Sequence, residues 1–311
     1  MRLAAFDIGT NTVLMLAVEF EAGGSPRALV ELSRITRLGR GLDKSGKLDP
    51  ESAGKTLDAI EEFARAARAL GIDRMVAAAT ASLRDASDGP GFVAKVRART
   101  GVELQIISGL EEARLSHLAV ARGLHIDPES HLLIVDIGGG STEFIRAQPG
   151  HELVAVSLQI GSVRLTERCV KSDPPSTADC ESLQGTIDRA IDGLGWSGFR
   201  PQRLVGIAGT VTTICAVALG LRNYDAQVVH GHRLARSEVR RALDLFGSRT
   251  LLQRKELPGL LEGRADVIFA GASILDRIME QFAATSLTVS DQGVRWGLAW
   301  REIDRARGAQ A

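Results

Sequence analysis

Asp7 and Asp136 each stand at the end of an apolar run and the start of a glycine turn, in DIGTNTVLML (7–16) and DIGGGSTEFI (136–145). A carboxylate in that place can hold a hard cation, through water or directly. A turn rich in glycine and hydroxyls can present backbone N–H groups to an anion. Gly138, Gly139 and Gly140 carry no Cβ, so phosphate oxygens can come close to the main chain there. Thr10, Asn11, Thr12, Ser141 and Thr142 either touch the phosphates or stabilise the turns themselves. One such motif reads equally well as an ordinary hairpin. Two in register, each opening one half of the chain, read as a duplicated hairpin.

Other residues could join this chemistry. In GIAGTVTTICAV (206–217), a strand runs into a helix through Gly209 and Thr210. Amides at such a helix start favour an anion, though a structural turn explains the pattern equally well. In SGLEEARLSHLAV (108–120), Ser108 and Glu111 have capping-box spacing, and Leu115 and Leu118 supply an apolar face. Glu112 is left without a structural task. It either complements the helix dipole or orients and deprotonates a water. Glu143 is a charge within an apolar strand: a metal or water partner, or an outward-facing residue. Arg84 suits bidentate phosphate contact, or is a plain surface arginine. HGHRLARSEVRR (230–241) reads as a polar loop and a solvated helix, with a basic path for a polyanion as the alternative. RADVIFAGASIL (264–275) reads as a small-residue packing helix.

The elements that must position these groups alternate. Strand-like runs cover 2–8, 12–20, 74–80, 103–108, 131–137, 141–147, 203–209 and 286–291. Helical periodicity covers 50–70, 90–100, 110–123, 175–194, 210–220, 236–247, 264–283 and 293–307. The class is α/β, and paired strands at both starts make the sheets mixed. The polar stretch 123–131 divides the chain into domains at 1–122 and 123–311, with a helix at about 293–311 packing back on the first. The segment 171–182 reads as a loop leading into a helix N-terminus.

Bulk composition narrows the classes. Lys+Arg and Asp+Glu are equal at 38 each, which argues against a general nucleic-acid binder. Cys169, Cys180 and Cys215 are scattered and form no CxxC, which fits a reducing cytoplasm. The first residues already read as a strand rather than a leader, and no apolar run is long enough for a membrane span.

Taken in order, the three turns resemble the phosphate-binding segments of the actin-like ATPase superfamily. DIGTNT, TASLRDASD, ISGLEEARL, DIGGGSTE, GSVRLTE, AGTVTT, PGLLEGRADVIFAGASIL and SDQGVRWGLA together resemble the successive signatures of the Ppx/GppA phosphatase family. These are exopolyphosphatases and guanosine pentaphosphate phosphohydrolases. The resemblance spans nearly the whole chain and implies two actin-like (ribonuclease H-like) α/β domains with a cleft between them, in the short form of the family. It implies Glu112, the second glutamate of EEAR, as catalytic base. It also implies Asp136 and Glu143 at Mg²⁺ and the attacking water, Gly138 at the phosphates, and Arg84 gripping them; the repeated hairpin adds Asp7 to the metal. Another divalent cation is the alternative metal, K⁺ is a stimulating ion, and a homodimer is the implied assembly. Thr10 and Thr12 replace the commoner serines and keep the hydroxyl. Asp88 stands where Asn is frequent and is left out of the site, because a carboxylate is unfavourable beside a polyanion.

The implied reaction is hydrolytic release of terminal orthophosphate from inorganic polyphosphate, with guanosine pentaphosphate as the alternative substrate. Nothing in the sequence reads as a guanine pocket. Two other classes compete: a small-molecule kinase, which needs an adenosine pocket and an acceptor site, and a nucleotide-dependent assembly protein, against which Glu112 in EEAR speaks.

Overall fold

The computed structural model describes residues 1–21, 24–72, 74–196 and 198–308. Along the chain the elements are β1 (Arg2–Ile8), β2 (Thr12–Glu19), β3 (Arg27–Ile35), α1 (Leu42–Ser45), α2 (Pro50–Ala69), β4 (Arg74–Ala79), α3 (Ala81–Asp85), α4 (Gly89–Thr100), β5 (Leu104–Ile106) and α5 (Gly109–Gly123). Then come β6 (Leu132–Ile137), β7 (Thr142–Ala147), β8 (Val154–Leu158), α6 (Ser162–Cys169), α7 (Thr177–Asp192), β9 (Arg203–Ile207), α8 (Ala208–Ala218), α9 (Ala226–Val229), β10 (Arg233–Ala235), α10 (Arg236–Gly247), α11 (Leu251–Lys255), α12 (Ile268–Gln281), β11 (Ser286–Val289) and α13 (Val294–Gly308). Contacts gather them into two units. One joins Met1–Ala119 to the segment from Gly293, and the other is Val120–Gln292.

The N-terminal unit is built on a sheet of order β3-β2-β1-β4-β5. β1–β2 and β2–β3 are antiparallel, whereas β1–β4 and β4–β5 are parallel. The period of two along a strand sorts side chains between the two faces. Ala4, Phe6 and Ile8 pack with Ile60 and Phe63 of α2 and Phe92 and Val96 of α4. Leu3, Ala5, Leu16 and Val18 pack instead with Leu115 of α5 and with Trp296, Leu298 and Ile303 of α13. Asp7 has the parity of Leu3 and Ala5, so the register directs it to the α5/α13 face.

The second unit has the order β10-β11-β9-β6-β7-β8. β6–β7 and β7–β8 are antiparallel, β6–β9 and β9–β11 parallel, and β10 joins antiparallel at the edge. Leu133, Val135, Ile137 and Phe144 form one core with Leu183 and Ile187 of α7, Val211 and Ile214 of α8 and much of α12. Asp136 and Glu143 have the opposite parity and face away from that helical core. Set side by side, β3-β2-β1-β4-β5 and β8-β7-β6-β9-β11 have the same order and directions. The duplication seen in two short motifs therefore extends to five strands.

The expectation of two mixed α/β sheets flanked by helices holds. Three strands, β3, β8 and β10, have no counterpart among the strands read from the sequence. β10 lies inside the stretch expected to be a polar loop, and the helix after it buries Val239, Ala242 and Phe246 rather than being wholly solvated. His230 in that stretch is used locally: Nε2 lies 3.2 Å from Gly123 O, and Asp291 N–H donates to Nδ1 at 3.2 Å. The 171–182 loop ends as expected, with Ser176 capping α7 in a capping box with Asp179. Positions 309–311 of the expected terminal helix lie outside the described residues. No described helix is long and apolar enough to cross a membrane.

Candidate active site

In the N-terminal unit the turn between β1 and β2 closes with Gly9 N–H donating to Thr12 O at 3.0 Å. The Thr10 carbonyl accepts from Gly39 N–H at 2.9 Å, and the Asn11 carbonyl accepts from both Thr36 and Arg37 N–H at 3.0 Å. A trans peptide sets each N–H antiparallel to the carbonyl before it. Tying back the Thr10 and Asn11 carbonyls therefore turns the Asn11 and Thr12 amides away from the 36–39 segment. Gly39 allows this approach, because a Cβ there would overlap the Thr10 methyl. Asn11 Nδ2 and Asp7 Oδ1 are buried without a hydrogen-bond partner. Burial pushes the Asp7 carboxyl up to about 6, partly offset by the charge of Arg295.

The same unit holds Glu112 on the first turn of α5. Ser108 Oγ accepts from Glu111 N–H at 3.2 Å, which is the forward half of the expected cap. The Glu111 carboxylate accepts from Arg301 Nη1 at 2.7 Å. Glu112 is 6% exposed. Its Oε2 accepts from Arg84 Nη1 at 3.2 Å, and the same nitrogen donates to Ile107 O at 3.0 Å. Arg84 is thus no plain surface residue: it links α3, the end of β5 and the candidate base. Asp88, set aside from the sequence, accepts from Leu48 N–H at 3.0 Å and holds a loop.

In the second unit the turn closes in the same way, with Gly138 N–H donating to Ser141 O at 3.0 Å. Here the start of α6 restrains all three glycine carbonyls. Ser162 N–H donates to Gly138 O at 2.9 Å, Val163 and Arg164 N–H donate to Gly139 O at 2.9 and 3.1 Å, and Arg164 Nε donates to Gly140 O at 2.7 Å. By the same peptide geometry the Gly139, Gly140 and Ser141 amides turn away from α6, as an anion-binding nest requires. Gly161 is needed because a Cβ there would overlap the Gly139 carbonyl. The Thr142 hydroxyl donates to Ile160 O. Asp136 and Glu143 are directly paired across β6 and β7, at 8% and 2% exposure. Glu143 Oε1 accepts from Ser141 Oγ and Ser157 Oγ, each at 2.7 Å. Glu143 is therefore buried and hydrogen-bonded, not an outward-facing strand residue.

The third turn begins α8. Ala208 adopts φ 68, a left-handed conformation costly for a residue with a Cβ. Gly209 follows, and a side chain there would collide with the Arg264 guanidinium. Burial lowers the Arg264 pKa, against the raising effect of Tyr224 and Asp291. Thr210 is buried beneath Gly271 of α12, where a Cβ would overlap its methyl. Close packing is thus the role of the small residues in that helix.

Several of these residues had no role in the sequence reading: Ser157, Gly161, Arg164 and Arg264. GSVRLTE and EGRADVI were visible as motifs, but the carbonyls and carboxylate they touch depend on register. Among the described residues no three His, Cys, Asp or Glu side chains gather to hold a metal ion. The donors still fit Mg²⁺, which binds through one or two carboxylates with phosphate and water. An orphaned buried carboxylate oxygen on Asp7 and the facing Asp136–Glu143 pair are the observations that fit it.

Residues 17–306 match the model of the Ppx/GppA phosphatase family. The chain is 33% identical over 313 aligned positions to exopolyphosphatase 2 of Mycobacterium tuberculosis, covering 96% of this chain and 97% of that protein. The crystal structure of an exopolyphosphatase-like protein superimposes with a TM-score of 0.90 at 31% identity, covering 98% of this chain and all of that one. The Aquifex aeolicus Ppx/GppA family member superimposes with a TM-score of 0.82 at 29% identity, covering 98% of both chains. With the signatures in order, the doubled sheet and a match over almost its full length, the chain belongs to the Ppx/GppA phosphatase family.

Proposed function

We infer that this protein is an exopolyphosphatase that releases terminal orthophosphate from inorganic polyphosphate by hydrolysis. The observation that carries the reading is the doubled turn. In each hairpin the turn carbonyls are tied back from behind, which turns the amides outward, and an aspartate with a buried oxygen or a buried side chain stands beside them. The relatives named exopolyphosphatase support polyphosphate as the substrate.

In this mechanism Glu112 orients a water and takes its proton as the water oxygen bonds to the terminal phosphorus. The bridging P–O bond breaks, and the shortened chain leaves with the electron pair. Arg84 holds Glu112 in place and offers further N–H groups to the phosphate oxygens. The amides of the glycine turn receive equatorial oxygens without reorganising. Asp136 and Glu143, with Asp7, are the residues that would hold Mg²⁺, which when bound neutralises charge on the phosphoryl group. The reading includes a homodimer and a cytoplasmic setting, the latter in keeping with three unpaired cysteines.

Orthophosphate release from matched polyphosphate and guanosine pentaphosphate tests it, with wild type and Glu112→Gln. Polyphosphate is cleaved, and the variant loses about 10²–10⁴-fold in kcat while its melting temperature holds. Cleavage of the nucleotide alone overturns the substrate, and full activity in Glu112→Gln overturns the base.

A further inference from the structure

Glu143 is gripped from two elements at once. Ser141 reaches Oε1 from the turn, and Ser157 reaches the same oxygen from β8, each at 2.7 Å. Ser157 lies directly opposite Glu143 in the β7–β8 pairing, and Asp136 lies directly opposite on the other flank. Asp136, Glu143 and Ser157 therefore form one row across three strands on the face turned from the helical core. A glutamate side chain has a soft terminal torsion, and ordering it costs entropy. Two short hydrogen bonds to one oxygen restrain the carboxylate plane.

We propose that Ser157 is a positioning residue that fixes the orientation of the Glu143 carboxylate toward a divalent cation. This rests on the reading of Glu143 as a cation-holding residue given above. The N-terminal unit contains its own control. Ser33 of β3 occupies the register equivalent of Ser157, but the residue it faces on β2 is Leu14. A serine at this place in the sheet is thus compatible with a purely structural role, and only the one opposite a carboxylate has a charge to orient.

The experiment compares wild type, Ser157→Ala, Ser157→Thr and Ser33→Ala. Mn²⁺ binding to the polyphosphate-free protein is titrated by electron paramagnetic resonance. The kcat and KM of orthophosphate release and the melting temperature are measured alongside. Ser157→Ala weakens Mn²⁺ binding and lowers kcat, each by about 10–100-fold, with KM and melting temperature unchanged. Ser157→Thr, which keeps the hydroxyl, restores most of both, and Ser33→Ala changes neither. Wild-type Mn²⁺ affinity in Ser157→Ala overturns the proposal, as does a wild type that binds no Mn²⁺. The titration needs no substrate. A Ser157 effect on Mn²⁺ in a protein that leaves polyphosphate intact supports the positioning role and refutes the exopolyphosphatase reading.

Discussion

The β1–β2 and β6–β7 hairpins share a strand order, a turn closed at 3.0 Å and carbonyls tied back from behind. They differ in what faces the aspartate. Asp7 stands opposite Leu14, with a buried oxygen that has no hydrogen-bond partner. Asp136 stands opposite Glu143, itself held by two serine hydroxyls. One scaffold thus carries two kinds of carboxylate: one desolvated, with an oxygen that accepts no hydrogen bond, the other paired and supported. Duplication preserved the backbone that presents amides, while side chains at equivalent positions took on different work.

The largest effect should come from erasing that difference. Glu143→Leu gives the second hairpin the pairing of the first, and kcat for polyphosphate should fall about 10²–10³-fold. The reverse change, Leu14→Glu, puts a second carboxylate beside desolvated Asp7 and should lower the melting temperature without raising activity. Steady-state kinetics and thermal melts read both. If Glu143→Leu keeps its activity, the two hairpins do not differ in the way described here.

A smaller effect separates the supports behind the turns. Gly161→Ala drives a Cβ into backbone, whereas Gly39→Ala meets a threonine methyl that can yield. Overpacking costs about 1–3 kcal/mol, and the Gly161 change should lie at the upper end and raise KM. Equal losses in the two variants would show that both turns are braced alike. Smaller again, Asp7→Asn removes a desolvated charge and should stabilise the cation-free protein at neutral pH by on the order of 1 kcal/mol. Urea melts in the presence of a chelator measure this, and a less stable variant would show that the attraction of Arg295 outweighs the cost of burial.

The smallest effect is a control away from both turns. Asp179 is held well below the usual carboxylate range, first by the Ser172 hydroxyl and then by the Ser176 amide, with burial opposing. A depressed folded pKa stabilises the protein above the unfolded value of 3.8, and the contribution is lost as pH falls below it. Asp179→Asn should therefore flatten the acid limb of the melting profile below about pH 4 and leave catalysis alone; an unchanged limb would refute the linkage.

Both hairpins were legible because Asp-Ile-Gly followed by hydroxyls is a local pattern. So were the long helices and the Ser108 cap. β3 and β8 were not. RALVELSRI is an edge strand, half exposed and interrupted by Glu31 and Arg34, so its alternation is blurred. VAVSL is five residues long with no fully buried position, too short to show a period. The serine–glutamate bonds were hidden with β8, because they exist only through its register with β7. Elimination left Glu112 without a structural task and the resemblance implied its role as base, whereas its contact with Arg84 depends on how α3 and α5 meet at the end of β5.

One face of the first sheet is closed by the last helix of the chain. Leu3, Ala5, Leu16 and Val18 pack against Trp296, Leu298 and Ile303. In the order of synthesis β1 and β2 precede the whole of the second unit, and α13 follows it. The continuous stretch Val120–Gln292 can complete its own core while this apolar surface has Leu115 and Ala119 of α5 as partners but not α13. The N-terminal unit therefore closes only after the second unit has been made, and until then part of its apolar face is open to aggregation.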